Sequence, residues 1–363
     1  VILAGGEGTR LRPLTSNVPK PIVRLVDRPF ISFMLEWLRG HGVEEVILSC
    51  GFMAERVRGV LGDGSGLGIR LRYVEEPEPR GTAGAVKMAE PMLDERFLML
   101  NGDVLTDIDL SAQIAQHEAT GARATLALVA VADPSAYGLV VLDEQRRVSD
   151  FVEKPSSGRL PSNLISAGAY VLEREILGLV APDRKVSIEG EIWPLLVGDG
   201  LYGFPSESYW MDIGTPARYL QGTFDILEGN VASAVRERLG EDWLAIDEGA
   251  RVLGRAIPPA LIGSGCEIAE GARVGSLVVL GRDVSVGSGS SLERAVVLDG
   301  ARIGEGCELR DCIVCEGAVV GDGTEVTGGA VLGEGVRIGA DNVVTRGARI
   351  FPGVDLPDRA LEF

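Results

Sequence analysis

Two different rhythms of apolar residues run along the 363-residue chain. In the first, which lasts to about residue 228, short apolar runs alternate with stretches of helical spacing. The runs Val1-Ile2-Leu3-Ala4 and Val46-Ile47-Leu48-Ser49, and residues 69–74, 97–101 and 124–130, are bounded by Gly, Pro or polar residues and predict strands. Residues 30–39 follow Pro29 and stop before Gly40 and Gly42; with 54–61 and 110–120 they carry the spacing of helices packed on a sheet. Strand alternating with helix predicts an α/β domain whose mostly parallel sheet is covered on both faces. Sheets of this kind bind ligands beyond the carboxyl ends of their strands, which directs attention to the loops after Ala4 and Asn101.

The second rhythm has a period of six. It links Ile262, Ile268, Val274, Leu280, Val286, Leu292 and Leu298, then after one-residue slips Ile303 and Leu309, and Val314, Val320, Val326, Leu332, Ile338 and Val344. Neither a helix nor a simple strand has that period. With glycine following at Gly263, Gly275, Gly304 and Gly321, it predicts a left-handed parallel β-helix of hexapeptide repeats whose apolar residues stack inward. Residues 229–250, including Glu237, Glu241 and Asp242, read as a polar helix or linker, so the expected division is 1–228, 229–250 and 251–363, with the segment after Phe351 capping the last coil. Val1 already lies in an apolar run, so an initiating Met is expected ahead of it.

Composition narrows the partners. Thirty-five Lys and Arg against fifty-three Asp and Glu give a net charge of −18, which argues for small ligands and against nucleic acid. No apolar run reaches the ~20 residues of a membrane helix, so no membrane partner is expected. Five irregularly spaced cysteines do not form a disulfide framework; reduced thiols and a cytoplasmic address are expected. Cys312 and Cys315 form a Cys-x-x-Cys near Cys307, but no second pair completes a metal set, and packing explains them better. The only histidines, His41 and His117, fall in the first domain, so the β-helix lacks the usual base for acyl transfer.

Directly after the first strand comes Gly5-Gly6-Glu7-Gly8-Thr9-Arg10-Leu11-Arg12-Pro13, then Pro19-Lys20-Pro21. Glycines allow backbone N–H groups close to phosphate oxygens, so the loop suits a triphosphate. It is not a P-loop, having no Gly-Lys-Ser/Thr, and not a dinucleotide fingerprint, since Arg10 and Leu11 stand where a third glycine belongs. Arg10, Arg12, Lys20, Arg24 and Arg28 outnumber Glu7 and Asp27, which makes a locally basic segment in an acidic chain.

This string resembles the sugar nucleotidyltransferases, the nucleoside-diphosphate-sugar pyrophosphorylases. Gly81-Thr82-Ala83-Gly84, Asn101-Gly102-Asp103, Tyr137-Gly138, Val152-Glu153-Lys154-Pro155, Ser187-Ile188-Glu189 and Trp210-Met211-Asp212-Ile213-Gly214-Thr215-Pro216 resemble further family segments in family order. The resemblance implies a Rossmann-like nucleotidyltransferase domain followed by the β-helix. It also implies that Arg10 and Lys20 serve the reacting phosphates, that Asp103 and Asp212 are catalytic and hold Mg²⁺, and that Leu3, Ala4, Gly5, Gly6, Gly8, Thr9, Glu76, Gly81, Thr82 and Gly102 line the nucleotide. Gly138, Glu153, Lys154 and Ser166 are the implied sugar contacts. One departure stands out: the family's Asn-Ala-Gly before a Tyr is here Ser166-Ala167-Gly168-Ala169-Tyr170, which keeps a hydroxyl but loses the reach of an amide. Apart from the resemblance, an isolated Asp after a strand is more often a turn-former or helix cap.

Glu76 bears on the base. A carboxylate only accepts, and guanine offers two adjacent donors, whereas uracil and thymine offer one N–H between two carbonyls. A solvated acidic loop of Glu75, Glu76 and Glu78 is the competing explanation. The surrounding words look most like the mannose-1-phosphate guanylyltransferase branch, which implies GTP and mannose 1-phosphate as partners. The alternatives are glucose-1-phosphate thymidylyl-, uridylyl- or adenylyltransfer, heptose-1-phosphate guanylyltransfer, or a non-catalytic regulatory subunit. Homo-oligomer contacts through the β-helix are also expected.

Overall fold

The structure is a computed structural model that describes residues 1–153 and 162–361; Lys154 and the Glu153 side chain lie outside the described part. The chain forms two compact units, Val1–Gly6 with Ile31–Met211, and Glu7–Phe30 with Asp212–Phe363.

The first unit is built on a nine-stranded sheet. Ile2–Leu3 lies inside it, parallel to Glu45–Cys50 on one side and to Arg96–Asn101 on the other, and Arg70–Glu75 continues the parallel run. On the far side Leu164–Glu173 runs antiparallel to Arg96–Asn101, Ala124–Ala130 and Gly138–Leu142, while Leu201–Ser206 is parallel to Ala124–Ala130. The central strand is short because Gly5 and Gly6 follow at once, and so the glycine loop leaves the sheet where the parallel strands end. Helices occupy Ala54–Leu61 and Leu110–Thr120 as the spacing predicts. Leu110–Thr120 starts where the Asp109 carboxylate accepts from the Ala112 N–H, and it stops at Gly121, which takes a positive φ. Tyr170, Trp193 and Met99 are among the side chains sealed in this core.

In the second unit the period of six is a parallel β-helix. Arg251–Val252, Glu267–Ile268, Ser285–Val286, Arg302–Ile303, Val319–Val320, Arg337–Ile338 and Asp355–Leu356 stack in parallel along one face. Every residue of the six-spaced series, from Ile262 to Val344, is buried, and each contributes about 1.5–3 kcal/mol by leaving water. All five cysteines are free and buried, four of them in the β-helix, and burial pushes the Cys312 and Cys315 thiols far up, so they act as small apolar residues. The stretch read as a linker contains the helix Ala234–Leu239 and then Leu244–Ile246, which already pairs with Ala260–Ile262. Three residues are too few to display a six-residue period. The segment after Phe351 adds a further rung, since Asp355–Leu356 pairs with Arg337–Ile338. No helix among the described residues is long and apolar enough to cross a membrane.

One edge of the β-helix carries acids at equivalent places in successive coils. Asp299, Glu316 and Glu334 each stand two residues beyond the mutually paired Val297, Val314 and Leu332. Burial, then Glu334 and Asp299, push the Glu316 carboxyl up from its ordinary 4.5 against the pull of Arg24. A folded pKa above the unfolded one means stability that is complete below the ordinary value and lost as pH rises through the folded pKa. Glu316→Gln is therefore expected to melt above the parent at about pH 7 and level with it at about pH 4. Calorimetry at the two pH values checks this; equal melting temperatures at both would refute it.

Candidate active site

In the first unit the predicted nucleotide residues gather around the end of the central strand. The Ala4 N–H donates to Ser49 O at 2.8 Å, and the Gly102 N–H donates to Leu3 O at 2.9 Å. A methyl group at Gly102 would stand 2.5 Å from Leu3 O, so Asn101-Gly102-Asp103 can cross here only with glycine at its centre. Gly5 faces the Glu76 side chain in the same way: a methyl group there would lie 2.9 Å from Glu76 Oε1. The Ser49 hydroxyl donates to Glu76 Oε1 at 3.0 Å and the Arg80 N–H to Oε2 at 3.3 Å. Glu76 is half-buried while Glu75 and Glu78 are exposed, so it is held toward the glycine loop and is not one of a row of solvated acids. Gly6 is exposed, and Asp103 is half-buried just past the strand.

Two of the family words bind each other. Gly81 opens the helix Gly81–Ala89 in a left-handed conformation, 2.6 Å separating the position of a methyl group from Val186 O. The Thr82 hydroxyl donates to Glu189 Oε2 at 2.7 Å and accepts from the Ile188 N–H at 2.8 Å, and Ser187 Oγ also donates to Glu189. Gly81-Thr82 and Ser187-Ile188-Glu189 thus form one local structure, and the Thr82 hydroxyl spends its proton inside it.

The sugar candidates share three neighbouring strands. Gly138 is the cross-strand partner of Glu153, and Leu139 that of Ile165, next to Ser166. The pairing of Leu164–Glu173 with Ala124–Ala130 shifts register between Ser166 and Tyr170, and at that bulge Gly168 turns to a positive φ against the Asn101 side chain. Ser166 Oγ lies 2.9 Å from the Tyr170 hydroxyl. The Trp210 indole donates to Ala167 O at 2.8 Å, and its ring meets Tyr137 edge to face at 5.5 Å. Tyr137 and Trp210 were read only as parts of motifs; the structure joins them as one aromatic wall beside Gly138.

The second unit contains the basic loop. Gly8, at φ 64°, precedes the tight turn Thr9–Leu11; its carbonyl accepts from the Thr15 hydroxyl at 2.8 Å and from the Leu11 N–H at 2.9 Å. A methyl group at Gly8 would be 3.2 Å from the Cβ of Lys20, so the turn sits directly on the lysine. Lys20 is only 8% exposed, and an ammonium is costly to bury without purpose. Arg10 and Thr9 are exposed at the tip. Gly214 lies close to both the Arg10 and Asp212 side chains: the position of a methyl group there is 3.1 Å from Arg10 Nη2 and 3.1 Å from Asp212 Oδ2. Asp212 also pairs with Arg218, at the start of the helix Pro216–Leu227. Sequence reasoning passed over Arg218 because it stands outside the quoted motif, although it is one helical turn from Thr215.

This combination of a glycine loop, an exposed arginine and a buried lysine can be set against known proteins. The Nucleotidyl transferase family model matches residues 1–229. The chain belongs to that family. The GMPPB C-terminal domain model matches residues 256–361 of this nucleotidyl transferase. Mannose-1-phosphate guanylyltransferase of Mycobacterium tuberculosis is 36% identical over 308 residues, 84% of this chain and 80% of that one. A probable mannose-1-phosphate guanylyltransferase 1 of Oryza sativa is also 36% identical, over 84% of this chain and 82% of its own. Among solved structures, HddC from Yersinia pseudotuberculosis complexed with GMP-PN is 29% identical with a TM-score of 0.54, covering 62% of this chain and 97% of that one.

The donor set restricts what metal this nucleotidyl transferase is suited to. Among the described residues no three His, Cys, Asp or Glu side chains gather into a metal cage. Mg²⁺ takes one or two carboxylates and completes its shell with water and phosphate oxygens. Asp103, half-buried at the end of its strand, and Asp212, with a 13% exposed side chain, are carboxylates of the kind such an ion uses.

Proposed function

We propose that this enzyme transfers a guanylyl group from GTP to mannose 1-phosphate, forming GDP-mannose and releasing pyrophosphate, in the cytoplasm. The observation that carries the base assignment is the Glu76 carboxylate, fixed by Ser49 and Arg80 beside Gly5. Each of its oxygens keeps a lone pair for guanine's N1–H and 2-amino group. The relatives named as mannose-1-phosphate guanylyltransferases support the sugar, and the free thiols support a reducing compartment.

In this reading a phosphate oxygen of mannose 1-phosphate attacks the α-phosphorus of GTP. The new P–O bond forms as the bond to the β-phosphate bridging oxygen breaks, and pyrophosphate leaves with that electron pair. Arg10 neutralises charge building on the leaving group, and Lys20, held under Gly8, fixes the reacting phosphates in line. Gly138, Glu153, Lys154 and Ser166 hold the sugar phosphate. Asp103 and Asp212 would hold the divalent ion, Mg²⁺ in this reading, which would supply further charge neutralisation on the triphosphate.

The test is a matrix of nucleoside triphosphates against sugar 1-phosphates with Mg²⁺, followed by pyrophosphate release. The GTP and mannose 1-phosphate pair is expected to give the highest kcat/KM. Preference for UTP or dTTP would overturn the base assignment, and preference for another sugar phosphate with GTP would overturn the sugar alone.

A further inference from the structure

The basic segment is held by the β-helix at several points, all within the second unit. The Arg349 guanidinium donates to the carbonyl of Arg10 at 3.2 Å, across 339 residues of sequence. The Asn17 amide donates to Glu334 Oε2 at 2.9 Å, and Arg24 to Asp299 Oδ2 at 3.0 Å. Glu334 and Asp299 belong to the acidic edge described above, and Ile350, beside Arg349, pairs with Leu332 in the same column of strands. One edge of the solenoid therefore runs along the segment from Arg10 to Arg24, contacting it from three different coils.

A turn of three residues has little stability of its own, so outside contacts set where it sits. The Arg10 side chain passes close to Gly214, while its backbone carbonyl is held by Arg349. We propose that Arg349 is a positioning residue for nucleotide use: it fixes the Arg10 turn from the β-helix, which makes the second domain part of the triphosphate site. This rests on the reading of Arg10 as a triphosphate ligand. The bond is charge-assisted and lies at the surface, so its loss loosens the turn without unfolding the coil.

The experiment compares Arg349→Ala, Arg349→Lys and, as a control at an exposed arginine in a different column of strands, Arg337→Ala, each as the full chain. Steady-state pyrophosphate release is measured with whichever nucleoside triphosphate the parent uses best. Arg349→Ala is expected to lose about tenfold in kcat/KM for the nucleotide, with KM for the sugar 1-phosphate unchanged. Arg349→Lys, which still reaches a carbonyl with a charged donor, recovers most of the loss, and Arg337→Ala behaves as the parent. Parent-like nucleotide kinetics in Arg349→Ala would overturn the proposal, as would an equal loss toward both substrates that lysine fails to rescue. Absence of pyrophosphate release by the parent with any nucleotide would instead overturn the assigned activity, and the positioning role with it.

Discussion

Asp212→Asn is expected to lower kcat by about a thousandfold while leaving the melting temperature near that of the parent. The substitution keeps the shape of the side chain and its capacity to hydrogen-bond, and removes only the charge. That charge is 13% exposed and pairs with Arg218. In the resting chain it offsets Arg218; in the proposed reaction it serves as a metal ligand, where a neutral amide is a much poorer donor to a hard cation. If Asp212 served the ion pair alone, the asparagine variant would lose a few-fold at most, because a pair with a 40% exposed arginine is worth little. Pyrophosphate release at saturating substrates separates the two outcomes by about two orders of magnitude.

The second large effect concerns the base. Glu76→Gln is expected to reduce kcat/KM for GTP by about a hundredfold and to leave UTP or dTTP use unchanged or improved. One carboxylate oxygen becomes an amide that points a donor at a guanine donor, and sites built to match hydrogen bonds discriminate strongly when one is reversed. The amide still accepts from Ser49 or Arg80 through its remaining oxygen, so the local fold survives. Competition between GTP and UTP in one reaction, with the two nucleotide sugars separated by chromatography, measures the switch directly. An unchanged ratio would show that Glu76 does not read the base.

Features with a local signature could be read from the residues. The period of six located each inward position of the β-helix because an inward side chain repeats with the coil whatever surrounds it. Asp109 before Leu110 and Gly121 after Thr120 bracket a helix by their own backbone and side-chain preferences. Features made by contact between distant segments had no such signature. The bulge between Ser166 and Tyr170 lies in a strand that pairs with three others, and no spacing announces it. Gly81 and Thr82 are nucleotide candidates by resemblance; that the same glycine and hydroxyl are tied to Val186, Ile188 and Glu189 is something a single window of sequence does not reveal. Arg349 is one exposed arginine among many until the fold brings it to the carbonyl of Arg10.

Metal binding tests the proposed chemistry at its centre, since that proposal makes Asp103 and Asp212 the ligands. Mn²⁺ binding followed by electron paramagnetic resonance, with a non-reactive GTP analogue present, is predicted to weaken at least about tenfold in Asp103→Asn and in Asp212→Asn, and to stay at the parent value in Arg337→Ala. Parent-like Mn²⁺ affinity in either aspartate variant would contradict it.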